Sequence, residues 1–204
     1  MEEKKLLFPT EEVTLPSKGL IYPPDNPLSK GSIQMKYMTA KEEDILTNET
    51  YIKRGTVIDK LLQSLIVSPI DYNELVIGDK NALLIAARVL GYGKDYSFEF
   101  NGEDQVLDLT ELNDKELKEE HLLEKGKNEF SFTLPILKKE ITFKILTHSD
   151  EKKIEEEIKG RKKVKQEAGE LTTRLKYMIL SIDGDRERKT IREFVDTQLL
   201  AKYL

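Results

Sequence analysis

The chain of 204 residues has no cysteine. Disulfides and thiolate metal centres are excluded, and a reducing cytoplasm is the compartment this composition fits. Histidine is almost as scarce, with His121 in a charged connector and His148 at a strand-to-helix junction. Neither has regular carboxylate spacing beside it, so no metal site or other cofactor is expected. No apolar run approaches the roughly 18 residues of a membrane span, so no membrane is expected as a partner. Leu6-Leu7-Phe8, between the charged Met1 to Lys5 and Pro9, is too short for a signal peptide. Neither sign of charge dominates, because the net charge of -5 is what remains of 33 basic and 38 acidic residues. Such interleaving favours solubility and gives no reason to expect a nucleic-acid backbone as the main partner. Internal repeats and low-complexity tracts are also lacking.

What is present is an apolar organising stretch, Met38 to Tyr96, centred on the segment from Gly78 to Gly93. Between Ala82 and Leu90 every residue but Arg88 is apolar, and Ala and Leu dominate, so the pattern predicts a helix buried on nearly all sides. Asp79 is placed to cap its first turn and Gly91 to close its last in the left-handed conformation. Arg88 is expected either to pair with a carboxylate of a neighbouring element or to reach the surface with its head group.

The fold class read from these patterns is α+β. Residues 1–38 form an extended proline-rich arm with one strand, since five of the seven prolines lie between Leu6 and Leu28 and Ser32 to Tyr37 alternates apolar and polar. This arm is either a lid on the protein's own core or a partner-binding segment through Leu15, Pro16, Leu20 and Tyr22. Residues 39–95 form a helical core, with a capping box at Thr39 and Glu42 and a second helix start at Thr56. Residues 96–147 hold two hairpins, Tyr96–Phe100 with Gln105–Leu109 and Phe130–Leu134 with Ile141–Ile145, expected to share one small antiparallel sheet. Residues 148–204 return to helix, with a bend or α-hairpin at Gly160 or Gly169. A stripe of Leu171, Leu175, Met178 and Ile182 suits a helix–helix seam. A last helix opens at the capping box Thr190 to Glu193 and turns Ile191, Phe194, Val195, Leu199 and Tyr203 inward.

Readings that would assign chemistry are weak. Gly91-Tyr92-Gly93-Lys94 follows a helix, whereas a phosphate cradle precedes one. Asp183-Gly184-Asp185 begins like a calcium loop, but Arg188 and Phe194 stand where glycine and glutamate are required. An enzyme using His148 and nearby carboxylates is the alternative from another class, and nothing resembles a nucleophile turn. A nucleic-acid module using Lys159 to Lys165 is a further alternative, but acids flank that run and no aromatic side chain is interleaved for base stacking.

Several segments resemble, in order, the baseplate hub proteins of T4-type contractile-tailed bacteriophages. They are Leu15-Pro16-Ser17-Lys18-Gly19 with Tyr22-Pro23, Met38-Thr39-Ala40-Lys41-Glu42-Glu43-Asp44-Ile45-Leu46-Thr47, Val57 to Leu62, and Gly78-Asp79-Lys80-Asn81-Ala82 through Leu90 to Tyr96. Phe130 to Pro135, Ile141 to Lys144, Leu146 to Glu151 and Ile182-Asp183-Gly184 continue the similarity. The resemblance implies a non-enzymatic virion or assembly protein, a hub subunit or an assembly chaperone. Its partners would be other baseplate or tail proteins or a second copy, met in the host cytoplasm during assembly or in the finished baseplate. Leu15, Pro16, Leu20, Tyr22, Leu171, Leu175, Met178 and Tyr203 are the candidate contact residues. Relatives carry paired cysteines in the first hairpin in the manner of a zinc ribbon, whereas this chain has Asn101-Gly102-Glu103-Asp104 there. Members of the family also run on past a helix like Ile191 to Leu204, which implies a missing β-rich tail.

Overall fold

The computed structural model describes residues 9–113, 115, 117–164, 167 and 169–198. It is α+β, with helices and small antiparallel sheets of two or three strands. Two compact units form, each discontinuous in sequence. The first takes residues 1–19, 25–70 and 78–117, and the second takes 20–24, 71–77 and 118–204. The consecutive regions 1–38, 39–95, 96–147 and 148–204 therefore do not coincide with the units. Local hydrogen bonds show why: the Val76 N–H donates to the Tyr22 hydroxyl at 3.1 Å and the Gly126 N–H to the Leu20 carbonyl at 2.8 Å, tying two short excursions into the second unit.

In the first unit, strand β1 (Thr10–Thr14) pairs antiparallel with β2 (Ser32–Lys36), setting Val13 opposite Ile33. The arm is thus a two-stranded ribbon, and Leu15, Leu28, Ile33 and Met35 from it are buried. Three short helices follow: α1 (Ala40–Leu46), α2 (Glu49–Arg54) and α3 (Val57–Leu65). Helix α3 turns Leu61, Leu62 and Leu65 inward, at the spacing its sequence predicts. Ile66 then leaves the helix to bridge Met35, and the Val67 N–H reaches the Gln34 carbonyl at 2.9 Å.

Helix α4 (Ile77–Tyr92) differs from the sequence expectation in three ways. It is not buried all round, because only the stripe Asp79, Leu83 and Ala87 is fully covered while the other apolar side chains are half-buried. The opposite stripe is only half-covered by neighbouring side chains of the unit and borders a groove. Asp79 is fully buried and holds the arm: the Ser17 N–H and hydroxyl donate to its two carboxylate oxygens at 2.9 and 2.7 Å. The helix also runs through Gly91, and Gly93 supplies the left-handed residue at φ +84. Gly91 serves close approach instead, since a Cβ there would lie 2.2 Å from Met38 Sδ. Among the described residues Arg88 forms no ion pair; its head group is at the surface, the second of the two expected outcomes, and donates to the carbonyls of Gly93 and Asp95 at 2.9 and 3.3 Å, over the Tyr92 ring.

Strands β3 (Asp95–Phe100) and β4 (Glu103–Asp108) form a hairpin closed by Asn101-Gly102 alone, both at positive φ. These two residues suit a primed turn, whose twist matches that of the flanking strands. The hairpin forms its own sheet and does not join the second one.

In the second unit, β5 (Phe130–Thr133), β6 (Glu140–Phe143) and β7 (Ile179–Ile182) make an antiparallel sheet in that order. Ile182 is therefore a strand residue and no part of a helical stripe. A four-residue apolar run such as Ile179 to Ile182 suits either element, and pairing to β6 decides it. Helices α5 (His148–Lys163) and α6 (Glu170–Met178) form an α-hairpin around Gly169 at φ +56, and the Arg174 guanidinium forks onto Glu151. Helix α7 (Arg188–Thr197) opens after Glu187, two residues before the expected box, and turns Ile191, Phe194 and Val195 against Leu134, Ile141 and Ile179. Leu199 and Tyr203 lie outside the described residues.

Both units enter their first helix through one device, Lys-x-x-Thr-x-x-acid. In the first, Glu42 is fully buried: Lys36 Nζ and Ser64 Oγ donate to one oxygen at 2.7 and 2.6 Å, and the Thr39 N–H and hydroxyl to the other at 2.9 and 2.6 Å. Burial pushes this carboxyl up, but the bonds from Lys36, Ser64 and Thr39 outweigh it and hold Glu42 at about 2. In the second, Asp150 accepts from Lys144 Nζ at 2.8 and 2.7 Å and from the Thr147 N–H at 3.0 Å. Burial again opposes ionisation, and Lys144 and Thr147 again prevail, lowering Asp150. Each device locks a strand end, a helix start and a carboxylate into one geometry.

Candidate docking surfaces

Ala82, Ile85, Ala86, Val89 and Leu90 recur at helical spacing on the half-buried side of α4. They line an open groove of about 260 Å³ bounded by Val13 of β1 and by Leu109 and Leu112 beyond β4. Apolar side chains at such a position gain by being covered, at roughly 25 cal/mol per Å² removed from water. The sequence marks this stripe clearly; what it hides is that the stripe is only half-covered.

The β3–β4 hairpin stands in solvent, with every residue from Asp95 to Leu107 exposed. Alternation puts Tyr96, Phe98 and Phe100 on one face, with Leu107 opposite Tyr96, and the first two rings stack at 5.9 Å between centroids. The other face carries Asp95, Glu99, Asp104 and Asp108. Lys94 pairs with Asp108, and with Thr110 it holds that carboxyl at about 2.

The second unit offers two further concavities. An apolar groove of about 260 Å³ lies between the sheet and α6, lined by Phe132, Ile141, Phe143, Leu175, Met178 and Ile179. A polar cleft of about 450 Å³ lies among α5, α6 and α7, lined by Glu157, Arg161, Lys176, Tyr177, Arg188 and Arg192. There Arg161 pairs with Glu157 and Lys176 with Asp196, both at 2.7 Å, while Arg188 donates to the Lys176 carbonyl at 2.9 Å. Burial and the neighbouring Glu157 raise the Tyr177 phenol.

The expected contact residues fall into distinct settings. Leu15 and Tyr22 are buried, as the lid reading expects, and a buried side chain presents no surface to a partner. Pro16 and Leu20 are half-buried. Leu175 and Met178 meet in the apolar groove of the second unit, Leu171 is 55% exposed, and Tyr203 is outside the described residues. The hairpin rings and the pair Arg188 and Arg192 were not singled out in the sequence. Their signals are period-two aromatics and an i, i+4 arginine pair, both of which also mark ordinary core and surface.

Histidine 148 is 3% exposed, packs edge to face on Tyr72 with centroids 4.7 Å apart, and has its backbone N–H bound to the Leu75 carbonyl. Its environment is that of a packed core imidazole. From the basic run, Lys159 pairs with Glu155 and Arg161 with Glu157, and Lys165 lies outside the described residues. Among the described residues no group of three or more His, Asp or Glu side chains is arranged to hold a metal, and no helix is long and apolar enough to cross a membrane. Comparison with family models, curated proteins and solved structures finds no match to this chain.

Proposed function

We propose that the chain is a non-enzymatic component of the tail baseplate of a contractile-tailed bacteriophage, a hub subunit or an assembly factor, that works by docking other baseplate or tail proteins. The observation that carries this reading is the second apolar stripe of α4. The stripe Asp79, Leu83 and Ala87 is fully covered, while Ala82, Ile85, Ala86, Val89 and Leu90 are half-buried and line a groove. Contiguous apolar surface of this kind is costly for a free monomer and is the usual mark of a protein-binding site.

The ordered motif resemblance supplies the setting, and the motifs lie where the fold needs them. Leu15-Pro16-Ser17-Lys18-Gly19 and Gly78-Asp79 meet through the Ser17–Asp79 bonds, and the Thr39 and Thr147 boxes are the two helix entries. Work would take place in the host cytoplasm during assembly, and in the baseplate if the protein is retained. Mass spectrometry of purified particles beside a pull-down from infected cells tests this. Recovery of tail proteins with the tagged chain is expected. Its presence in particles marks a subunit and its absence an assembly factor, whereas capture of no tail protein would overturn the reading.

A further inference from the structure

The hairpin and the basic cleft are complementary surfaces carried by one chain. Between Asp95 and Thr110 there is no lysine or arginine, while Asp95, Glu99, Glu103, Asp104 and Asp108 all fall within it. Glu99 stands directly opposite Asp104 in the antiparallel register, next to the Asn101-Gly102 tip. Like charges so placed raise the energy of a ribbon that is already marginal as two strands in water, unless a cation comes between them. The other face offers the rings of Phe98 and Phe100. Arginine satisfies both faces, since its guanidinium forks onto carboxylates and stacks on aromatic rings.

The cleft among α5, α6 and α7 supplies that group. It holds Arg161, Lys176, Arg188 and Arg192 against two carboxylates, those of Glu157 and Asp196. Those carboxylates are taken by Arg161 and Lys176, and neither Arg188 nor Arg192 forms an ion pair among the described residues. Arg188 and Arg192 are one helical turn apart on α7, so both reach the same mouth. A volume of about 450 Å³ admits a few side chains of a hairpin tip.

We propose that the β3–β4 hairpin of one copy docks tip first into the α5–α6–α7 cleft of a second copy, with Arg188 and Arg192 engaging Glu99 and Asp104. The contact is head-to-tail, so a dimer keeps one free hairpin and one free cleft, and growth gives a ring or a chain. The inference rests on the reading of the chain as a docking protein and names a second copy as one partner.

Sedimentation velocity on the purified full-length chain tests it. Wild type at roughly 100 µM and low ionic strength is expected to form species larger than dimers that shrink as salt is added. Glu99→Lys/Asp104→Lys and Arg188→Glu/Arg192→Glu are each expected to be monomeric alone. Mixed in equal amounts they should associate again, because the retained hairpin of one fits the retained cleft of the other and the two reversed surfaces are complementary as well. The neutral set Glu99→Gln/Asp104→Asn and Arg188→Gln/Arg192→Gln should also be monomeric alone and on mixing give a 1:1 dimer and nothing larger, because one retains only a cleft and the other only a hairpin, and it replaces the reversal set if circular dichroism shows altered folding. A monomeric wild type, blocked variants that associate like wild type, or a mixture that stays monomeric would each overturn the proposal. Since purified protein alone is used, such a failure leaves docking to tail proteins standing.

Discussion

Replacing Glu42 by Gln tests the lock of the first unit, and its magnitude can be worked from the site. The carboxylate is fully buried yet held at about 2, against 4.5 in an unstructured chain. A carboxyl depressed in the folded state stabilises it at pH above the unfolded value, and that stabilisation is lost as pH falls through the folded one. At about 1.4 kcal/mol per tenfold in proton affinity, the whole contribution is on the order of 3 kcal/mol, of which about 2 kcal/mol should be gone by pH 3. Gln keeps the shape but removes the charge that Lys36 Nζ meets at 2.7 Å. Urea unfolding followed by circular dichroism should therefore show wild type more stable than Glu42→Gln by about 2 to 3 kcal/mol at pH 7, with the gap closing towards pH 3. Equal stability at pH 7, or a gap that stays constant on acidification, would refute the reasoning.

Other outcomes follow from the same structure. Ala87→Glu places an unpaired charge in the covered stripe of α4 and should abolish cooperative unfolding, whereas Ala86→Glu, one residue away on the groove side, should fold with near-native helical signal; reversed results would mean the helix is rotated. Gly19→Ala should cost several kcal/mol, because its Cβ would lie 2.3 Å from the Ser29 carbonyl oxygen at φ +75, while Gly91→Ala meets only the Met38 side chain and should cost about 1 kcal/mol; thermal melts that rank them the other way contradict the geometry. Ser17→Ala removes the hydroxyl bond to buried Asp79 and should lower stability by about 2 kcal/mol in the same urea assay, with no loss expected if the arm were merely draped over the unit.

Much of the architecture is legible in the sequence where a local signal and the tertiary environment agree. The Thr39 to Glu42 box, the stripe of Leu61, Leu62 and Leu65, and the hairpin turn at Asn101-Gly102 are such places, although Glu103 and Asp104, expected in that turn, belong to β4. Strand β1, Thr10-Glu11-Glu12-Val13-Thr14, has one apolar residue and exists because β2 offers it a partner. Helix α2 buries nothing; caps at Asn48 and Gly55 define it, so no periodicity announces it. Strand β7 is taken from a run that would also suit α6, and the free edge of β6 makes the choice. The candidate surfaces are harder to read. An apolar helix predicts burial but not by which molecule, so α4 reads as core although half of its grease faces a groove. In the arm, Leu15 and Tyr22 are buried, which is the lid alternative of the two that the sequence leaves open. The Lys three residues before each capping threonine was open to inspection, but a lysine at a strand end looks like any other until its carboxylate is seen to be buried.

The most direct test of the central claim is affinity capture from infected cells with the wild-type chain and with Ile85→Glu, which places a charge on the open stripe of α4. Matched circular dichroism for the two proteins would show that the fold is intact. Wild type should recover a defined set of tail proteins that the variant loses, and recovery of the same set by both would contradict the claim that this stripe is where the molecule docks.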